Sequence, residues 1–163
     1  MTSNRILNIV FLTVLTIGIS CSSSKPALES LNRFDYEVTC EQIGKEGTQS
    51  MIISTIQKNA DIALAEARRQ AVHAILVKGL NSGACNVPPL VDQSKYAANQ
   101  QYFNNFFDSD AYKQFVVSAS DRARDLIYVG KQVKVSSNVV IARNALRDRL
   151  VSDKIISSMG NIL

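Results

Sequence analysis

Apolar and polar residues begin to alternate at Phe34. Phe34, Tyr36, Val38 and Cys40 are separated by Asp35, Glu37, Thr39 and Glu41. A period of two predicts a half-buried strand with its polar face outward. Gly44-Lys-Glu-Gly47 supplies a turn, and Met51-Ile-Ile-Ser-Thr-Ile56 reads as the second, more apolar strand of a hairpin. The period then becomes helical, from Ala60 to Lys78. Ala63, Ala67, Ala71 and Ala74 form one stripe flanked by Leu64 and Ile75, with Asn59 as candidate N-cap and Gly79 as the stop. An alanine stripe lets a helix lie close to a sheet. Glu66, Arg69 and His73 fall on the other side at helical spacing and are predicted to share a solvated face.

Leu80 to Lys95 reads as a loop, with Asn-Ser-Gly, Cys85 and Pro88-Pro89 as its breakers. Seven of the chain's aromatic residues follow closely: Tyr96, Tyr102, Phe103, Phe106, Phe107, Tyr112 and Phe115. The 102, 103, 106, 107 spacing predicts one or two short helices. Leu126–Val129, Gly130 and Gln132–Ile141 read as two strands meeting at a turn, with Val133, Val135, Val139 and Ile141 on one face. A closing helix is predicted from Arg143 to about Ile156, burying Ala145, Leu146, Leu150 and Val151. The order β-β-α-(α)-β-β-α predicts an α+β fold. An antiparallel sheet of about four strands carries the alanine-rich helix and the C-terminal helix.

Upstream of the hairpin the pattern is different. Arg5 precedes an uncharged, mostly apolar stretch from Ile6 to Ile19, followed by Ser20-Cys21 and then Ser22-Ser-Ser-Lys-Pro26. A short basic region, a short apolar stretch and small residues at a cleavage point read as a secretory signal. The apolar stretch is shorter than the ~20 residues a spanning helix needs. With cysteine directly after Ser20, the segment resembles a bacterial lipoprotein signal. That resemblance implies cleavage before Cys21, lipid on Cys21, and firm attachment, because several acyl chains hold where one binds only reversibly. Residues 1–20 are then the signal, 21–32 the lipidated cysteine and a flexible tether, and 33–163 a single domain.

This reading changes what the composition means. Losing Arg5 leaves 17 basic against 14 acidic residues, a mild excess scattered along the chain. Nucleic acid is excluded as a partner on the same grounds of export and dispersed charge. Three cysteines minus one anchor leave Cys40 and Cys85, in a compartment that permits disulfides. A bridge would close a loop of about 45 residues, worth a few kcal/mol. The alternative is two separate buried thiols, since free cysteine packs like a small hydrophobe.

The block Tyr36-Glu-Val-Thr, the hairpin, and then Asn59-Ala-Asp-Ile-Ala-Leu-Ala-Glu-Ala-Arg-Arg-Gln-Ala-Val-His-Ala also resembles a second pattern. It is similar to the N-terminal domain of the flagellar assembly protein T and related small outer-membrane lipoproteins, over residues 33 to 156. What the likeness implies is a non-enzymatic assembly or scaffold module at the envelope.

Candidate chemistry is sparse. His73 is the single histidine, read as an exposed helical residue, and the histidine and dispersed cysteines give no zinc spacing. No metal or cofactor is expected beyond the lipid on Cys21. Asp108-Ser-Asp110 reads as a helix-capping turn and Asp121-Arg-Ala-Arg-Asp125 as a surface turn with local ion pairs. Aromatics at i, i+3 and i+4 normally pack inward. The adjacent pairs Tyr102-Phe103 and Phe106-Phe107 nevertheless span a wide arc, which makes these four the candidate contacts for a partner or an apolar ligand. The expected function is a non-catalytic envelope lipoprotein that binds other envelope proteins, at the outer membrane facing the periplasm or the surface. The alternative is a carrier or sensor of a small apolar ligand held near residues 96–115.

Overall fold

The computed structural model describes residues 34–158 apart from 45–46, 83–84 and 122–125. Cys21, the segments 1–20 and 21–32, and residues 122–125 of the expected surface turn lie outside the described residues. The hairpin forms as the alternation predicts. Strands β1 (Glu37–Ile43) and β2 (Gln49–Gln57) pair antiparallel, Cys40 opposite Met51, with an irregularity between Cys40 and Gln42.

Asn59 then caps helix α1 (Ala60–His73), its side-chain oxygen accepting from Ile62 N–H at 2.9 Å. Ala63, Ala67, Ala71 and Ala74 are all fully buried. The predicted single helix does not stay α-helical to Lys78. From Ala74 to Lys78 it widens into a π turn, closed by Gly79 N–H on Ala74 O at 2.8 Å. The cause is the loop that follows. The carbonyls of Ile75 and Leu76 accept from Leu90 and Val91 N–H at 3.0 and 2.8 Å, so they need no partner in the helix. Gly79 makes the exit with φ 71°, where a Cβ would sit 2.9 Å from Val87 O.

Helices α2 (Gln93–Ala98) and α3 (Gln100–Asp108) and a 3-10 turn (Ala111–Phe115) occupy the aromatic segment. Strand β3 (Val116–Asp121) comes next, where the sequence reading assigned no strand. Strands β4 (Ile127–Val129) and β5 (Gln132–Ile141) form the second hairpin around Gly130, and helix α4 (Arg143–Ser152) follows. α4 is shorter than predicted. It ends at Ser152, Ala145 is exposed, and Leu146 and Leu150 are its buried contacts.

The sheet order is β1-β2-β5-β3, all antiparallel, with β4 also paired to β5. β3 meets the C-terminal half of β5 (Val116 opposite Ile141) and β4 its N-terminal half (Ile127 opposite Lys134), so the two succeed each other along one edge. The helices cover the face carrying Met51, Ile53, Val135, Val139 and Ile141, all fully buried. The other face is a polar lattice. Glu41 Oε2 accepts from Ser50 Oγ and Asn138 Nδ2 at 3.0 and 2.7 Å, Ser54 and Ser136 are bonded at 2.8 Å, and Lys134 pairs with Glu37 at 2.8 Å. The fold is α+β, as the order of elements predicted.

Candidate functional site

Of the side chains read as a solvated face of α1, Arg69 and His73 are in fact roofed, while Glu66 stays partly exposed. Phe34, just before β1, stacks on the His73 ring at a centroid distance of 3.8 Å and an interplanar angle of 10°. Tyr96 approaches the same ring edge-on at 5.9 Å, and the Tyr36 hydroxyl shares a 2.8 Å hydrogen bond with His73 Nδ1. Burial, reinforced by the Lys78 and Arg69 charges, pushes the imidazole down to about 4. His73 is therefore a neutral, mostly buried ring and not an exposed helical histidine. Burial also raises the Tyr36 phenol.

Arg69 shares the enclosure. Its guanidinium lies 5.5 Å from the Phe34 ring centre and 5.6 Å from that of Phe107, with Glu66 at 3.9 Å and Asp108 at 3.7 Å. Lys78 Nζ lies 4.7 Å over the Tyr36 ring and donates to Tyr36 O at 3.3 Å. The cluster thus joins β1, α1, α2 and α3 through ring faces and held cations. An imidazole with this protonation and these neighbours ties elements together.

The four aromatic contact candidates separate. Phe103, Phe106 and Phe107 are buried and belong to the main core, so they offer no exposed contact surface. Phe103 is held between Tyr96, stacked at 4.4 Å, and Tyr102, edge-on at 5.1 Å. Phe106 packs on Phe115 and Phe107 on Tyr112, which spreads the wide arc over several elements instead of leaving half of it in solvent. Tyr102 alone is only half-buried. It donates to Asp153 Oδ2 at 2.6 Å, an oxygen that Arg149 Nε also reaches at 2.7 Å, and so ties α3 to the end of α4. Burial and the Asp153 carboxylate push its phenol up to about 12.

Cys40 and Cys85 are joined as a disulfide with their Cα atoms 5.9 Å apart. The bridge holds the loop after α1 against β1, where Ser82 Oγ also accepts from Cys40 N–H at 3.1 Å. No group of three metal-ligating side chains occurs among the described residues, and none of their helices is long and apolar enough to cross a membrane. No known protein family, curated protein or solved structure matches this chain.

What the sequence reading missed is an exposed surface. Leu126, Ile127, Tyr128 and Val129 were read as an ordinary strand, yet they are 39, 57, 80 and 50 % exposed. Their uninterrupted apolar run before a Gly-Lys turn is the signal that could have marked them. A different feature, an open groove of about 300 Å³, lies beside β3 and is lined by Arg68, Lys113 and residues 116–119.

Proposed function

We propose that this chain is a membrane-anchored, non-catalytic lipoprotein of a Gram-negative envelope. Its single α+β domain acts as an accessory, assembly or protein-binding module. The observation that carries the reading is Ser20-Cys21 at the end of the apolar stretch behind Arg5. The Cys40–Cys85 bridge supports it, because disulfides persist in oxidising compartments outside the cytosol. An assembly role and an outer-membrane address are what the sequence resemblance of residues 33 to 156 to small outer-membrane lipoproteins would imply. Function then follows from confinement. The lipid holds the domain on one surface and raises its effective concentration towards partners there, with no new contact needed.

The test is a Cys21→Ala variant in the native host, fractionated and cross-linked in intact envelopes. The wild type is expected in the membrane pellet with cross-linked envelope partners. The variant is expected to leave the pellet and lose those partners. A variant that stays in the pellet with the same partners would contradict the proposal.

A further inference from the structure

The β4–β5 hairpin leaves its apolar side chains open at one end of the sheet. Ile127 faces the polar-lattice side with Lys134, and Val129 faces the same side with Gln132, while Tyr128 faces the helix side opposite Val133. All three are at least half exposed. Ile56, 46 % exposed, flanks Lys134 from β2 and extends the patch. Ile62, 41 % exposed, stands in the first turn of α1, just after β2 reaches the same end. Exposed Lys58 and Lys131 border this end, and Glu37 is held by Lys134.

The occupant follows from this layout. A protein surface docking on a sheet covers one face, whereas this tip is apolar on both faces of the same strand. A wedge of that kind suits a medium that surrounds it. Aliphatic side chains with a tyrosine and flanking lysines are the composition of a membrane–water interface. β4 is three residues long, about 10 Å, comparable with the depth of the headgroup–acyl boundary. β1 also enters the sheet from this end, since Glu37 pairs with Ser54 and bonds Lys134. Residues 22–33 can extend to about 40 Å. That is enough for a domain anchored at Cys21 to bring the tip to the bilayer.

We propose that the β4–β5 hairpin is a membrane-insertion wedge that seats the domain on the bilayer through Ile127, Tyr128 and Val129. This rests on the anchored reading above. The lipid supplies residence at the membrane, and the wedge fixes orientation.

The chain contains no tryptophan, so one substitution gives a site-specific reporter. Tyr128→Trp places it on the tip. Val117→Trp places it at an exposed position near the other end of β5, where Val116 pairs with Ile141. Both full chains, extracted with their native modification and checked for wild-type circular dichroism, are reconstituted into phosphatidylcholine vesicles with and without brominated acyl chains. Expected is flotation of both, with emission from the Tyr128→Trp chain blue-shifted and quenched several-fold more than that from Val117→Trp. Flotation with equal, weak quenching of the two would overturn the wedge and leave the anchor standing. Failure to float would overturn the anchor and the wedge with it. A blue shift of the Tyr128→Trp chain that appears without lipid and grows with protein concentration would assign the tip to a second copy of the chain and also overturn the wedge.

Discussion

Lowering the pH tests the enclosure of His73 in quantitative terms. The ring titrates near 6.5 when the chain is unfolded and at about 4 in the fold. Between these values the unfolded chain binds a proton that the folded chain refuses. Stability is therefore full above pH 6.5, falls as the pH drops towards 4, and loses nothing more from this group below that. At about 1.4 kcal/mol per pH unit the whole window is worth roughly 3 kcal/mol. His73→Gln removes the titration and keeps a neutral polar end for the Tyr36 hydroxyl. Urea unfolding of both proteins, followed by circular dichroism at several pH values between 7.5 and 4.5, isolates the effect. Carboxylates such as Asp153 titrate alike in both and cancel in the difference. The wild type is expected to lose about 2–3 kcal/mol more than the variant across this range. A gap that stays constant would mean that the ring is protonated in the fold as easily as in solution. The Phe34 and Tyr96 roof would then not exclude water, and the reasoning would fail.

Other expectations come from the same packing. Phe103→Ala should cost about 3–5 kcal/mol in urea unfolding, because the ring is fully buried between Tyr96 and Tyr102. Tyr128→Ser, on the open tip, should change stability by less than about 0.5 kcal/mol in the same assay. Replacing Cys40 and Cys85 together by serine should cost about 4 kcal/mol for a sequence separation of 45, read as a lower midpoint that reductant does not lower further.

The elements legible in the sequence were those whose pattern answers to a local period. Alternation at Tyr36–Cys40, the alanine stripe of α1, the Asn59 cap and the inward valines of β5 all report one face meeting one core. β3 was not legible. It is an edge strand joined to β5 by its backbone ladder, with an irregularity between Val116 and Ser118 that breaks the alternation, and most of its side chains are exposed. The π turn was hidden too, because its cause lies at Leu90 and Val91, more than ten residues downstream. The covering of His73 and Arg69 is hidden from the sequence for the same kind of reason. Their helical face is polar by sequence and is covered by Phe34 from before β1 and Phe107 from α3. The spacing of the aromatic segment fits a core and a contact surface alike, and its four central residues divide into three core rings and one half-buried tyrosine tied to Asp153.

The central claim is that lipid on Cys21 holds this domain at a membrane. The most direct measurement is the intact mass of the protein extracted from the membranes of its native host. The account predicts a chain that begins at Cys21 and is heavier than its polypeptide by a glyceryl group and several acyl chains. An unmodified chain, or one whose first residue is anything other than Cys21, would contradict it.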